Sequence, residues 1–385
     1  MRRALTTVTP AGYAVALLAA AGWAGAHWLG HDELLVLGVA CTLLLVVAVP
    51  FVLLPLRVEA RVALRNTHTV AGQTGRALLH VRNLSRIPLL HPAVTLPIGR
   101  DATRLRLPLM VRGVDHTLQV PVPTFRRGVI DVGPLLGRRT DPLGLLRREA
   151  RWGRPVQLYV RPRIAALDAM TTGFMRELEG PPSDRISMND LAFHALREYV
   201  RGDDLRHVHW RSSARAGQLL VRQYHQSRRS HATVVVDDWR ASYGREEDFE
   251  LAVSVAASLV AKAALDHTDL TFICGEEFLS GATATDILDA CCRVRTGASD
   301  IARTAERAAF LNPDTTLMLV TGARRDYPRI AGVRGVFPLH TRTMFFQAHS
   351  SGRSAIGDTL GTPRLDVARL DDLPRLLAGL VEERR

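Results

Sequence analysis

The sequence predicts a mixed α/β protein that also carries a β-sandwich: a transmembrane helical hairpin, a β-sandwich-like domain, then a doubly wound α/β domain. Three observations predict it. Two apolar runs lie before residue 57, short alternating segments follow to about residue 165, and beyond residue 230 strands alternate with helices.

The apolar runs come first. AGYAVALLAAAGWAGAHWLG (residues 11–30) and LLVLGVACTLLLVVAVPFVLLPL (residues 34–56) are separated only by His31, Asp32 and Glu33. Each is about the twenty residues a helix needs to cross roughly 30 Å of hydrocarbon. A linker this short forces a hairpin. Arg2 and Arg3 precede the first run, and Arg57, Arg61 and Arg65 follow the second. The positive-inside rule then puts the N-terminus and the remainder of the chain in the cytoplasm. Ala24-Gly25-Ala26 offers a signal-cleavage alternative, which would leave the second run as anchor on the same side.

Residues 57–165 read as a β-rich unit. RVEARVALR, RALLHVRN, TRLRLPLMV and HTLQVPVPTF carry apolar residues at every second position, as strands with one buried face do. Gly72, Asn83, Pro97, Gly99 and Gly113 punctuate them. Several strands at this spacing suggest a sandwich. Residues 166–230 read as a linker, with GPPSD in the stretch Asp168 to Asn189, leading into a segment dense in charge.

Residues 231–385 change rhythm. ATVVVDD is a continuous apolar strand ending in two acids, and EEDFELAVSVAASLVAKAALD has helical spacing with acids at its start. DLTFICG, TTLMLVTG and HTRTMFFQA read as strands, TATDILDACCRVR and SDIARTAERAAFL as helices, and DVARLDDLPRLLAGLVEE as a closing helix. Such alternation implies a mainly parallel sheet covered on both faces, with ligands expected beyond the carboxyl ends of its strands. Asp237 and Asp238 occupy that position.

Composition bounds the chemistry. The 385 residues suffice for two domains, and an apolar share of 47% is that of a globular chain. The net charge of +12 is almost entirely arginine, Lys262 being the only lysine, which arginine-rich codon usage explains without a functional demand. Cys41, Cys274, Cys291 and Cys292 have no CxxC spacing, so neither a disulfide framework nor a zinc site follows.

The charged segment reads REYVRGDDLRHVHWRSSARAG (residues 197–217). Asp203 suits a helix N-cap, Asp204 the first turn and Gly217 the C′ position, which predicts a helix over 204–216 leading into the strand QLLVRQY. On that helix His207 and His209 diverge, so their HxH spacing does not make a metal pair. Ser212 or Ser213 with histidine and Asp203 raises a hydrolase reading, but no GxSxG elbow accompanies it. The arginines could hold phosphate, nucleic acid or anionic lipid, without a recognisable nucleic-acid module. The reading preferred on the residues is structural: Trp210 packs over the Arg206 stem, and Glu198, Asp203 and Asp204 pair with neighbouring arginines.

RRGVIDVGP (residues 126–134), TDPLGL (residues 140–145) and REYVRGDDLRHVHWRSSARAGQLLVRQ (residues 197–223) resemble the membrane-anchored bacterial domain-of-unknown-function 58 family. Its REY–GD–R–W–SAR signature corresponds to Arg197, Glu198, Tyr199, Gly202, Asp203, Arg206, Trp210, Ser213, Ala214 and Arg215, the candidate docking residues. The resemblance implies two membrane helices, a β-rich unit and a domain similar to von Willebrand factor type A. It implies, as partner, a MoxR-type AAA+ ATPase. Metal-binding domains of that type carry DxSxS after the first strand, where VVVDDWRASYG stands here. Counted from Asp237 the serine positions hold Trp239 and Ala241; counted from Asp238 they hold Arg240 and Ser242. No metal or other cofactor is expected, and Asp237, Asp238 and Ser242 are the oxygens of any residual site. The expected function is a non-enzymatic, membrane-anchored interaction or scaffold protein, with hydrolase or anionic-surface binding as alternatives.

Overall fold

The computed structural model describes residues 5–53, 57–85, 88–89, 92–141, 143–167, 192–200, 203–225, 231–324, 327–359 and 361–382. The expected linker stretch (residues 168–189), Gly202 and the end of the second apolar run (residues 54–56) lie outside them. The chain divides into two compact units, Met1–Arg161 and Pro162–Arg385. The second begins a few residues before the boundary expected at 165/166, because Ala165 donates its N–H to Ser258 Oγ and Leu167 enters that unit's core.

In the first unit a short strand, β1 (Leu5–Val8), precedes two antiparallel helices, α1 (Pro10–Leu29) and α2 (Asp32–Leu53). Thr9 caps α1 by accepting from Gly12 N, proline fills the first turn, and Gly30 ends the helix at φ 70°. The helices approach closely at Gly22 and Gly38: a Cβ on Gly22 would lie 2.7 Å from the Gly38 nitrogen. Small residues permitting such contact are typical of helix pairs in lipid. The outward faces are apolar, with Leu17, Trp28, Val36 and Leu43 all exposed. Within α2, residues Asp32–Pro50 are long and apolar enough to cross a membrane; among the described residues no other helix passes that test.

The alternating segments form β2 (Val58–Leu64), β3 (His68–Val70), β4 (Gly75–Asn83), β5 (Ala93–Ile98), β6 (Asp101–Arg106), β7 (Asp115–Val122), β8 (Gly128–Val132), β9 (Leu135–Thr140), β10 (Leu146–Trp152) and β11 (Val156–Arg161). They make a three-stranded sheet, β2-β4-β7, and an eight-stranded one, β1-β10-β9-β5-β8-β11-β3 with β6 on β5. Inward residues of both build one core, including Val62, Leu79, Val81 and Val120 from the first and Leu96, Val132, Leu158 and Val160 from the second. Each such side chain contributes about 1.5–3 kcal/mol by leaving water.

In the second unit β12 (Ala192–Glu198) pairs antiparallel with β13 (Leu220–His225). The remainder comprises β14 (His231–Val236), β15 (Asp269–Cys274), β16 (Glu277–Ser280), β17 (Thr316–Gly322), β18 (Thr343–Ala348), β19 (Ala355–Thr359) and β20 (Thr362–Val367), in the order β16-β15-β14-β17-β18-β20-β19. The five inner strands are parallel and the two edges antiparallel.

A short helix, α3 (Trp210–Ala216), lies between β12 and β13. Around the seven-stranded sheet stand α4 (Glu246–Leu265), α5 (Ala284–Cys291), α6 (Ile301–Leu311), α7 (Tyr327–Val336) and α8 (Leu373–Glu382). One face of the sheet packs with α4, α5 and α8, the other with α6 and α7. In α4, Phe249, Ala252, Val253, Ala256, Leu259, Val260 and Ala263 recur at helical spacing and are all buried, which is why the segment forms a helix against the sheet. Strands β14, β17 and β18 are buried on both faces and accordingly read as continuous apolar runs.

Candidate functional site

The first candidate site is the carboxyl edge of the parallel sheet. Crossovers leave β14 towards β15 on one side and arrive at β17 on the other, so the topological switch point lies at the end of β14, where Asp237 and Asp238 sit. Both are buried. Asp237 Oδ2 accepts from Ser242 Oγ at 2.5 Å and from Thr321 Oγ1 at 3.1 Å, while Oδ1 accepts from Trp239 N at 3.1 Å. Tyr243 donates its hydroxyl to the Asp237 carbonyl at 2.5 Å. Asp238 turns to a different loop: Oδ2 accepts from Ser299 N at 3.2 Å and its carbonyl from Gly297 N at 2.7 Å.

Of the three oxygens expected at a residual metal site, Asp237 and Ser242 therefore meet and Asp238 does not join them. The pairing spans five residues, which neither register of DxSxS anticipates, and Arg240 is exposed rather than placed at the site. Thr321 joins from β17. Two hydroxyl protons and an amide already occupy the Asp237 carboxylate. These oxygens are engaged with one another, the carboxylate as acceptor and the two hydroxyls as its donors. Among the described residues no group of three His, Cys, Asp or Glu converges anywhere.

The same chemistry recurs along this edge. Asp248 in the first turn of α4 accepts from Arg245 N at 3.1 Å and, across 102 residues, from Ser350 Oγ at 2.6 Å and Ser350 N at 2.8 Å. Burial pushes its carboxyl up, but the Ser350 donors and the Arg245 N–H outweigh burial and hold it below the ordinary aspartate value. Ser354 donates to Asp372 Oδ2 at 2.6 Å, lowering that carboxyl as well. Each acid fastens a loop leaving one strand to a neighbouring element.

The second candidate is the signature segment, which departs from the expected continuous helix over 204–216. Residues Leu205–His207 form a 3-10 turn, Val208 is extended and bridges Val221, and only α3 is α-helical. Buried Val208 is drawn into strand pairing, which a β-branched side chain accommodates readily. Asp203 does not cap the helix; its Oδ2 accepts from Val200 N in the preceding loop. Asp204 caps the 3-10 turn through Arg206 N, and the cap of α3 is His209, whose Nδ1 accepts from Ser212 N at 3.2 Å. Gly217 ends α3 at φ 70°, as expected.

Ser213 is buried and structural: its Oγ accepts from Leu220 N at 2.8 Å. Glu198 Oε1 accepts from Gln218 Nε2 at 2.9 Å. Arg197 pairs through its backbone with Val221, and Tyr199 N donates to Leu219 O. Trp210 does not pack down: it is 64% exposed. Arg206, Arg211, Ala214 and Arg215 are exposed as well. The signature thus brings polar and small residues together as the frame of a two-stranded hairpin, and turns Trp210, Arg206 and Arg215 to solvent. Sequence reasoning missed the His209 cap and Thr321. An N-cap histidine has no common motif, and Thr321 lies 84 residues from Asp237.

A comparison with curated proteins finds no match. Among solved structures, the CARDB domain of a Pyrococcus furiosus protein, in complex with di-metal ions, is similar over 27% of this chain and 93% of its own, at 9% identity and a TM-score of 0.21. Residues 195–275, running from the signature through β14 and α4 to the end of β15, match the model of the family described as "Protein of unknown function DUF58", which supports the domain-of-unknown-function 58 family for the segment that carries the signature.

Proposed function

We propose that this chain is a membrane-anchored, non-enzymatic scaffold. Its second unit, which the family resemblance likens to a von Willebrand factor type A domain, docks a cytoplasmic protein partner through the signature hairpin. The observation that carries the reading is the division of labour within the signature. Its acids, Ser213 and His209 are engaged in holding the hairpin, whereas Trp210 and the neighbouring arginines face solvent. Tryptophan and arginine are the residues most enriched at binding hot spots.

Anchoring through two helices is supported by parity. Strand β1, before the hairpin, pairs with β10, after it, so both ends of the hairpin lie on one side. A single crossing by α2 would put them on opposite sides. By the positive-inside rule the arginines beyond α2 favour the cytoplasm for that side, and the family resemblance makes a MoxR-type AAA+ ATPase the partner to test first.

The test is co-purification of the tagged full chain from bacterial membranes. Enrichment of the ATPase over a tag-only control, lost in Trp210→Ala, supports the reading, and equal recovery in both overturns the partner. A serine-directed activity probe that labels the chain and is lost on Ser213→Ala would instead establish the hydrolase.

A further inference from the structure

Two loops of the first unit, at residues 84–85 and 144–145, meet the ends of the helical hairpin on one side, and Asn83 joins a third, at 109–114, to the first of them. At the start of α1, Thr9 donates its hydroxyl to Gly144 O at 2.6 Å and its N–H to Leu145 O at 3.0 Å. Just beyond the end of α2, the Arg57 carbonyl accepts from Leu84 N at 2.7 Å and its N–H donates to Ser85 Oγ at 3.0 Å. Because α1 and α2 are antiparallel, the start of one and the end of the other share a side. The loops around residues 84, 109–114 and 143–145 therefore lie where the helices leave the β-rich unit.

These loops display apolar side chains. Asn83, fully buried, ties two of them together: its Nδ2 donates to Met110 O at 3.0 Å, its Oδ1 accepts from Ser85 N at 2.8 Å, and its carbonyl accepts from Gly113 N at 2.8 Å. The loops so clamped hold Leu84, Leu109, Val111 and Val114 at 44–47% exposure, and Leu143 beside Gly144 is 51% exposed. Exposed Arg57 and Arg112 stand among them, and Asp115 at the start of β7 lies 3.7 Å from Arg82.

Surface loops facing water are normally polar, and a group of exposed aliphatic side chains marks a contact. Here the occupant follows from position, since the same end joins helices whose outward faces are apolar. Aliphatic residues flanked by arginine match the boundary layer of a bilayer, where apolar side chains enter among the headgroups and guanidinium groups meet phosphate.

We propose that this end of the β-rich unit is seated on the bilayer surface: Leu84, Leu109, Val111 and Val114 enter the headgroup layer, and Arg57 and Arg112 pair with anionic lipid phosphates. The inference rests on the membrane-anchored reading. It fixes the orientation of the first unit as one face down, rather than free on a tether.

The test uses the full chain in nanodiscs of equal parts phosphatidylcholine and phosphatidylglycerol. The photo-crosslinker p-benzoylphenylalanine replaces Leu109, Val111 or, as control, exposed Phe125 beyond the opposite end of β7. Lipid adducts counted by mass spectrometry are expected to be several-fold more abundant at 109 and 111 than at 125. Arg57→Glu combined with Arg112→Glu is expected to reduce the phosphatidylglycerol share of those adducts. Equal yields at 109 and 125 in a chain that resists carbonate extraction overturn the seating and leave the anchor intact. Crosslinks to a second copy of the chain in place of lipid overturn it too. A chain that carbonate strips from the membrane overturns the anchored reading itself.

Discussion

Ser242 donates its hydroxyl to Asp237 Oδ2 across 2.5 Å, and Thr321 donates to the same oxygen from the adjacent strand. The pair closes the site where a ligand of a doubly wound sheet would sit. Ser242→Ala or Thr321→Val leaves a buried carboxylate short of one donor, at an expected cost of about 1–3 kcal/mol. Chemical unfolding of the detergent-solubilised chain, followed at amides of β14 by hydrogen exchange, measures it. In the same assay millimolar Mg²⁺ or Mn²⁺ is expected to leave protection unchanged. Tight, saturable stabilisation would restore a metal role to Asp237.

Asp248 links stability to pH. Its folded carboxyl titrates below the unfolded value of about 3.9. The folded state therefore holds fewer protons than the unfolded one as pH falls through this range. The stabilisation is fully present above the unfolded value and is lost as pH drops through the folded one. Asp248→Asn is expected to be less stable at neutral pH and to show a flatter decline between pH ~5 and ~2. A parallel decline in both proteins would assign the acid sensitivity to other carboxylates.

The hairpin contact at Gly22 and Gly38 leaves no room for a side chain. Gly22→Leu is expected to separate α1 from α2 or strain them, costing about 1–3 kcal/mol as overpacking does. Thermal melts in nanodiscs check it. Gly30→Ala is a useful contrast, since its Cβ would meet nothing within 4 Å and only the φ of 70° opposes it.

Within the signature, exposed and buried members separate by assay. Trp210→Ala is expected to change stability by no more than about 0.5 kcal/mol, while abolishing partner capture. Ser213→Ala removes the acceptor for Leu220 N, and Gly217→Ala forces a Cβ into a left-handed backbone; each is expected to cost about 1 kcal/mol. Loss of capture in proportion to lost stability would make the signature a structural element alone.

Elements whose burial is set by their own neighbours were legible in the sequence. The period-two segments of β2, β4 and β7, the stripe of α4 and the apolar run of α2 announce themselves because every member faces one environment. The signature departs from a single helix because capping residues are cues only where the chain between them stays helical. Val208 was claimed by Val221, thirteen residues away in a strand that the helical reading had placed after the helix. β12 was missed altogether, its AFHALRE composition being as compatible with helix as with strand until β13 supplies the ladder. The site at Asp237 was half legible. The acid at the end of β14 and Ser242 are local, whereas Thr321 depends on which strand lies beside β14, a property of topology.

The strand that begins the described chain has a consequence for biogenesis. β1 completes its sheet only against β10, and the contact that fastens the hairpin base, Thr9 to Gly144, spans 135 residues. During synthesis β1 therefore waits for its partner until both helices and the strands up to β10 have left the ribosome, as β3 waits for β11. Closing so long a loop is slow compared with local pairing, so the two helices, built from local contacts, form before the strand ahead of them is locked into its sheet. Once paired, the hairpin is held at its start by β1 in the eight-stranded sheet and leads, beyond α2, into β2 of the three-stranded sheet, so displacing either helix from the unit would first require unzipping a strand.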